Sequence, residues 1–392
     1  MSATDIDLTA IQQTEQSHQP PLYAKRDIAL VRGEGAYLFD SDGRRYLDAM
    51  SNYGVAILGH ADRGYADALA DQLRTLATGH QSFYSDVRAA LLDEVATIAP
   101  AGLTRSFLSN SGAEAIEAAL KFARVATGRS KLVAARRAYH GRTLGALAAT
   151  ADPKYRAPFA PFALETTHVA LDDIAALDAA IDGETAAVIL EPIQGEAGIY
   201  PASADYLQAA RRLTAERGAL LIVDEIQTGF RTGAPFAIAP FDVAPDLLCT
   251  AKGLANGFPI GLTMMTEAVS AAIPGGAHGT TFGGNPLACR AAFYTLRALR
   301  ERDLYARSAA LGAEIVERIE ALGSPKLRAV RGRGFMIGIE LKERITPTLR
   351  GLQARGVLAL PASATTLRLL PPLIWESPQV DELLAGLEAA LA

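Results

Sequence analysis

The stretch LLIVDEIQTGFRTG, residues 220–233, begins as an apolar run and ends in polar residues and glycines. Four apolar residues lead straight into Asp224 and Glu225. Such a run suits a strand buried on both faces of a sheet. In an open α/β sheet, ligands bind outside the carboxyl ends of the strands. Two readings of the acids are open at this point. Asp224 stands at such an end to meet a cationic group on a ligand, or the strand has ended and both acids face solvent.

The surrounding chain favours an α/β sheet. RSFLSN, KLVAA, AAVILEP, ALLIVDE and DLLCTAK each end in small or polar residues, with helical patterns such as GAEAIEAALKFARVATG between several of them. Strands alternating with helices predict a mostly parallel sheet covered on both faces. Before it, ALVRGEGAYLFDSDGRRYLDAMS reads as short strands with a hairpin turn at Ser41-Asp42-Gly43. From about residue 286 two helices precede the strands LRAVRGRGFMIGIELK and TTLRLLPPL, which predicts an α+β domain. The expected division is residues 1–55, a segment joining the small domain; 56–285, the large domain; and 286–392, the small domain. Residues 1 to about 20 are expected to be loose or draped over a partner.

Composition excludes several classes. The 392 residues are 49% hydrophobic and 21% charged, with net charge -5 and a pI near 5.8. No basic block points to nucleic acid. No apolar stretch is long enough to span a bilayer, and no signal peptide is evident at the N-terminus. The two cysteines, Cys249 and Cys289, form no disulfide framework and fit a reducing, cytoplasmic compartment.

Lys252 closes the run DLLCTAK and is followed by GLANGFPIG. It is a surface lysine at a strand end or a Schiff-base lysine. Ser109 to Gly112 follow an apolar run and open an amphipathic helix. That start is an anion site or an ordinary N-cap by Ser111. HGTTFGGNPL, residues 278–287, offers Thr280 and Thr281 on a glycine-rich loop, a second phosphate contact or a plain turn before Pro286. Taken together, a lysine for an imine, a phosphate cradle and a carboxylate for a ring nitrogen point to one cofactor, pyridoxal 5'-phosphate. Asp224 would keep the pyridinium charged, and Gln227 is placed to hydrogen-bond the ring hydroxyl.

At this point the chain resembles the class III (ω-amino acid) aminotransferases of PLP fold type I, from about Leu30 to Leu391. The motifs are SNSGAEA, AYHGRT, EPIQGEAG, DEIQTG, TAKGLANG, HGTTFGGNPL and LRLLPPL. Within the class it is most similar to the acetylornithine and ornithine aminotransferases. It especially resembles the branch acting on lysine or ornithine carried on an amino-group carrier protein. The resemblance implies a PLP-dependent transaminase with Lys252 as Schiff-base lysine and proton shuttle. It implies Asp224 and Gln227 on the ring, Ser111, Gly112 and Ala113 at the phosphate, and Tyr139 stacked on the ring. Thr281 would reach the phosphate of the neighbouring subunit, so a homodimer with shared active sites is implied. Arg368 would bind the glutamate α-carboxylate and Glu196 would neutralise it when an ω-amine donor is bound. Arg142, helped by Tyr53, would bind that donor's distal carboxylate, with Tyr84 lining the tunnel. No metal is implied.

The implied reaction moves the terminal amine of an ornithine or lysine derivative to 2-oxoglutarate, in arginine or lysine biosynthesis. Ornithine or 4-aminobutyrate aminotransferase, glutamate-1-semialdehyde aminomutase and a non-catalytic PLP-fold protein are the alternatives. One departure stands out: relatives often read Q-T-G-x-x-R-T-G, and QTGFRTG is one residue shorter, which bears on the local loop geometry.

Overall fold

The computed structural model describes residues 7–392. Its main sheet has seven strands. Their spatial order is Leu103–Ser109, Gly261–Thr266, Leu247–Thr250, Leu220–Asp224, Thr185–Leu190, Lys131–Ala135 and Thr166–Val169. Only Gly261–Thr266 runs against its neighbours; the other pairings are parallel. The runs that read as buried are buried: every residue of Thr185–Leu190 and Leu247–Thr250 is out of solvent. Helices pack on these strands through small and apolar faces. In Gly112–Thr127 the buried face includes Ala115, Ile116, Ala119, Leu120 and Phe122. That helix starts where Ser111 Oγ accepts the Glu114 N–H at 3.2 Å, and it stops at Gly128 in the left-handed region (φ 68°).

Two smaller sheets are built from the chain ends. Leu30–Glu34, Tyr37–Asp40 and Arg45–Asp48 form an antiparallel meander, turned at Gly43 (φ 79°). Its last strand pairs in parallel with Val357–Leu358, tying the start of the chain to its C-terminal third. Leu327–Arg333, Met336–Leu341, Thr366–Leu369 and Leu360–Pro361 form the other sheet. The helices Pro286–Glu301, Leu304–Ala321 and Ser377–Leu391 accompany them. Pro286 is the first helical residue, behind an Asn285 cap. The sequence reading missed Gly261–Thr266 as the antiparallel strand. The N-terminal residues expected to be loose form a helix, Leu8–His18, but none of its side chains is buried. No helix among the described residues is long and apolar enough to cross a membrane.

The strand that opened the sequence reading resolves its two acids differently. Asp224 faces a cavity at the carboxyl end of the sheet. Glu225 turns into the interior, where it accepts from Ile238 N at 2.8 Å and from the Thr228 hydroxyl. The solvent reading fails for both, since Asp224 is 4% exposed and Glu225 fully buried. Burial pushes the Glu225 carboxyl up to about 7, from an ordinary 4.5. Between these two values the folded chain keeps a proton that the unfolded chain has released. Stability therefore falls as pH rises through that window. Glu225→Gln removes the penalty. Urea midpoints should show the variant gaining roughly 1–3 kcal/mol on the wild type at alkaline pH, and little at acid pH. An equal gain at both would place the ionisation elsewhere.

Candidate active site

Five strands of the main sheet end at one place. Beyond their carboxyl ends lie Ser111-Gly112-Ala113, Tyr139-His140, Glu191, Asp224 and Lys252, all lining a cavity of about 350 Å³. That is the size and position expected of a ligand site in an open α/β sheet. Arg142, Glu196 and Gln227 line it too.

Lys252 is half-buried and sits in the left-handed region (φ 38°) just after its strand. Burial lowers its ammonium pKa; Glu196 opposes this, Arg368 adds to it, and Asp224 and Glu191 oppose it more weakly. The net direction is down, toward a neutral amine able to act as nucleophile and base. Asp224 Oδ2 accepts from His140 Nδ1 at 2.7 Å, and Oδ1 from Ile226 N at 2.9 Å. Burial alone would lower the His140 pKa, but its bond to Asp224 reverses that and the direction is up. The carboxylate is thus fixed in orientation, with acceptor capacity left toward the cavity.

Arg368 is fully buried and lies behind Glu196. Its Nη1 donates to Glu196 Oε1 at 2.6 Å and its Nη2 to Oε2 at 3.2 Å, a bidentate pair. Gln227 completes the cluster, accepting from Arg368 Nη1 at 2.8 Å and donating to Glu196 at 3.1 Å. Burial would raise the Glu196 pKa, yet the Arg368 charge holds it below the ordinary carboxylate value. At the mouth, Arg142 is exposed and pairs with no carboxylate among the described residues. Its Nε donates to the Tyr139 hydroxyl at 3.1 Å, and its guanidinium lies 3.8 Å from the Tyr155 ring centroid.

Besides Arg368, which stands behind Glu196, Tyr53, Tyr84 and Thr281 also lie outside this cavity. Tyr53 is half exposed on a left-handed turn, its ring centroid 5.7 Å from the Arg368 guanidinium carbon. It stands beside Arg368, and no hydrogen bond or cation–π pair joins it to Arg142 among the described residues. Tyr84 is fully exposed and does not line the cavity of its own chain. Thr281 is exposed as well, while Thr280 turns inward and accepts from Asn110 Nδ2 at 3.1 Å. The sequence reading missed His140 and Glu191. Glu191 carried a usable signal, because it closes the apolar run AAVIL just as Asp224 closes LLIV.

The family comparison agrees with the geometry. Residues 20–391 match the family model described as aminotransferase class-III. The chain belongs to that family. It is 45% identical over 381 residues to the [LysW]-aminoadipate semialdehyde transaminase of Deinococcus radiodurans, covering 96% of this chain and 89% of that protein. It is 42% identical to the acetylornithine aminotransferase of Mycobacterium bovis over 397 residues, 100% and 98% of the two chains. Among solved structures, the ornithine aminotransferase of Toxoplasma gondii superposes with a TM-score of 0.94 at 30% identity, covering 98% and 94%. This class III member is therefore a PLP-dependent aminotransferase of fold type I.

The donor set fits the cofactor. Gly112 and Ala113 open a helix whose first N–H groups have no intrahelical partner, which suits a phosphate. Gly141 (φ 137°) lets the neighbouring loop close on that helix start, since a Cβ there would meet Ala113 Cβ at 3.0 Å. Asp224 faces the cavity with spare acceptor capacity, and Lys252 supplies the amine. A similar close fit defines a test. A Cβ on Gly195 would lie 2.0 Å from Gln227 Oε1. Gly195→Ala should displace Gln227 from Arg368 and lower kcat/KM with glutamate at least tenfold, about 1.4 kcal/mol of barrier, with circular dichroism unchanged. Wild-type kinetics would mean that Gln227 has no part in holding Arg368.

Proposed function

We propose that the chain transfers the terminal amino group of an ornithine or lysine derivative to 2-oxoglutarate, giving a semialdehyde and glutamate. Two relatives support the substrate class, one a [LysW]-aminoadipate semialdehyde transaminase and the other an acetylornithine aminotransferase. The observation that carries the reading is the bidentate Arg368–Glu196 pair beside Lys252. A transaminase of this kind must accept one substrate with a carboxylate next to the reacting amine and another without. Arg368 meets the first when Glu196 withdraws, and Glu196 covers Arg368 for the second. An aminomutase uses no outside 2-oxoglutarate and has no need of such a pair.

The residue roles follow. Lys252 Nζ would hold the cofactor covalently, and Ser111, Gly112 and Ala113 would hold its phosphate. Tyr139 would cover the ring and Gln227 would face its hydroxyl. When bound, PLP supplies an electron sink for the bond electrons left as the substrate carbon loses its proton. Asp224, braced by His140, keeps the ring nitrogen charged. Lys252, freed by the incoming amine, would take that proton on its Nζ and return it two atoms away, the 1,3 shift that transamination requires. Arg142 binds the distal carboxylate of the ω-amine donor, and Tyr53 flanks Arg368. An α-amine that is acetylated or linked to a small carrier protein would project past Arg142.

A homodimer with shared sites is part of the proposal. Phe83, Tyr84 and Phe282 are large exposed apolar residues. Their two loops meet where Arg88 donates to the Gly284 carbonyl at 3.2 Å. Thr281 lies in this patch, which would carry it, and Tyr84, to the partner's site. The threefold division at residues 55 and 285 also belongs to the proposal, with the first segment joined to the last by strand pairing.

Three outcomes test this reading. Lys252→Ala should abolish turnover while the cofactor still binds noncovalently, seen by absorbance after gel filtration; retained turnover would remove the central claim. Sedimentation should show a dimer, and a fully active monomer would defeat the shared site. Glu196→Ala should move the two half-reactions in opposite directions in single-turnover measurements. Glutamate should react more readily, and N-acetylornithine or carrier-linked lysine less. Equal proportional changes would show that Glu196 is not a gate.

A further inference from the structure

Glu191 closes the strand Thr185–Leu190 and its buried carboxyl forms part of the cavity wall. Its Oε1 accepts the Tyr139 N–H at 3.0 Å, and its Oε2 accepts the Gly195 N–H at 3.2 Å. These donors belong to two different loops. One carries Tyr139, His140 and Arg142; the other carries Glu196, the residue next to Gly195. Without the carboxyl, two buried N–H groups would lose their acceptor, at a cost that makes both loop positions depend on this one side chain. Nothing in the reaction itself calls for a third acid here, since Asp224 serves the ring and Glu196 serves Arg368.

We propose that Glu191 is a positioning residue that fixes the Tyr139–Arg142 loop and the Glu196 loop relative to each other. It thereby couples the end of the site that takes the distal carboxylate to the end that uncovers Arg368. This rests on the reading of Glu196 as a gate. The carboxyl stands at a fork: its two oxygens diverge, and each holds one loop. Withdrawal of Glu196 from Arg368 must then occur by side-chain rotation about a pinned backbone, because Gly195 cannot move without releasing Glu191. A pinned backbone makes the swing reproducible and returns Glu196 to the same bidentate geometry.

Charge supports the assignment. The groups facing Glu191 are His140 from its own tethered loop, Asp224 from the neighbouring strand end, Lys252 from the next, and Glu196 from the second tethered loop. Burial pushes the Glu191 carboxyl above its ordinary value; His140 opposes the rise and Asp224 adds to it. An ionised carboxylate accepts at both oxygens, whereas a protonated one carries a hydroxyl at one of them. The two-loop grip is therefore complete when Glu191 is ionised and weakens as pH falls.

The test uses Glu191→Gln, which keeps shape and one acceptor oxygen but sets an NH2 against one of the N–H groups. In the cofactor-loaded full chain, hydrogen exchange in the peptides spanning residues 138–142 and 194–198 should quicken at least tenfold in one or both. The ratio of the glutamate to the ω-amine half-reaction rate should change at least fivefold. Loss of packing alone would slow both half-reactions in proportion and leave that ratio fixed. Glu196→Gln is the companion variant. If it shifts the ratio while Glu191→Gln alters neither exchange nor ratio, the gate stands and the tether is overturned. If Glu196→Gln leaves the ratio fixed, the gate reading falls, and faster exchange in Glu191→Gln then supports the tether while unchanged exchange overturns it. Should the Glu191 variant fold poorly, the wild type decides. Protection of those two segments, corrected for intrinsic exchange, should fall between about pH 8 and about pH 5, and constant protection overturns the proposal.

Discussion

Buried charge must be balanced, and six ionisable groups share the space at the carboxyl end of this sheet. Lys252, Arg368 and His140 stand against Asp224, Glu196 and Glu191. The pair that governs the rest is Arg368 with Glu196. Leaving one member of such a buried pair alone costs on the order of 3–5 kcal/mol. The two members are not equally free to leave, because the Arg368 side chain is fully buried while that of Glu196 is 29% exposed. The acid is the partner able to swing away, and a substrate carboxylate can replace it without stranding the guanidinium. The same cation helps lower the Lys252 pKa. Substrate recognition and the state of the catalytic amine therefore share one electrostatic origin.

Backbone strain is concentrated around the same centre. Ser51, Asn52, Tyr53 and Gly54 all have positive φ, from 38° to 87°. Each non-glycine residue there costs roughly 1–2 kcal/mol. The neighbours hold the turn in place from both sides. The Asp48 carboxylate accepts the Met50 and Ser51 N–H groups at 2.9 and 2.8 Å while it pairs with His60 at 2.7 Å. Arg231, fully buried, donates to the Gly54 carbonyl at 2.8 Å and to that of Phe335 at 3.1 Å. The strained turn carries the Tyr53 ring, whose centroid lies 5.7 Å from the Arg368 guanidinium carbon.

Much of this was legible in the sequence, and the reasons differ by residue. Apolar runs ended by a chemically distinctive residue exposed Asp224 and Lys252, because a buried parallel strand leaves its carboxyl end as the site. Resemblance placed Arg368, Glu196 and Arg142, which periodicity alone does not distinguish from surface charges. His140 stayed hidden because a histidine in a motif gives no sign of which carboxylate it will meet 84 positions away. Tyr53 was read as helping Arg142 hold the donor's distal carboxylate; its backbone handedness, which no side-chain pattern reveals, sets its ring centroid 5.7 Å from the Arg368 guanidinium carbon. Thr281 and Tyr84 are exposed and lie outside their own chain's cavity, where the proposed dimer would give them their place. The strand Gly261–Thr266 was missed because GLTMMT carries no β-branched apolar residue and follows the turn-like GLANGFPI, so it did not read as an apolar run.

The shortened loop QTGFRTG connects these themes. One end is Gln227, bonded to both Arg368 and Glu196; the other is Arg231, bonded to the turn that carries Tyr53. Between them the chain closes tightly. Gly229 N donates to the Glu225 carbonyl at 2.9 Å, and Phe230 takes φ 70° with its ring buried beside Phe236. Asp224, just before this loop, is held separately by His140 and the Ile226 N–H. Both ends of the loop act on Arg368, one through the amide of Gln227 and one through the ring of Tyr53. Loop length in this region thus bears on how a carboxylate is received at Arg368 and, through the Arg368 charge, on the state of the Lys252 amine. Any effect of this loop on substrate preference would fall at the carboxylate end of the site, because both its ends lie there.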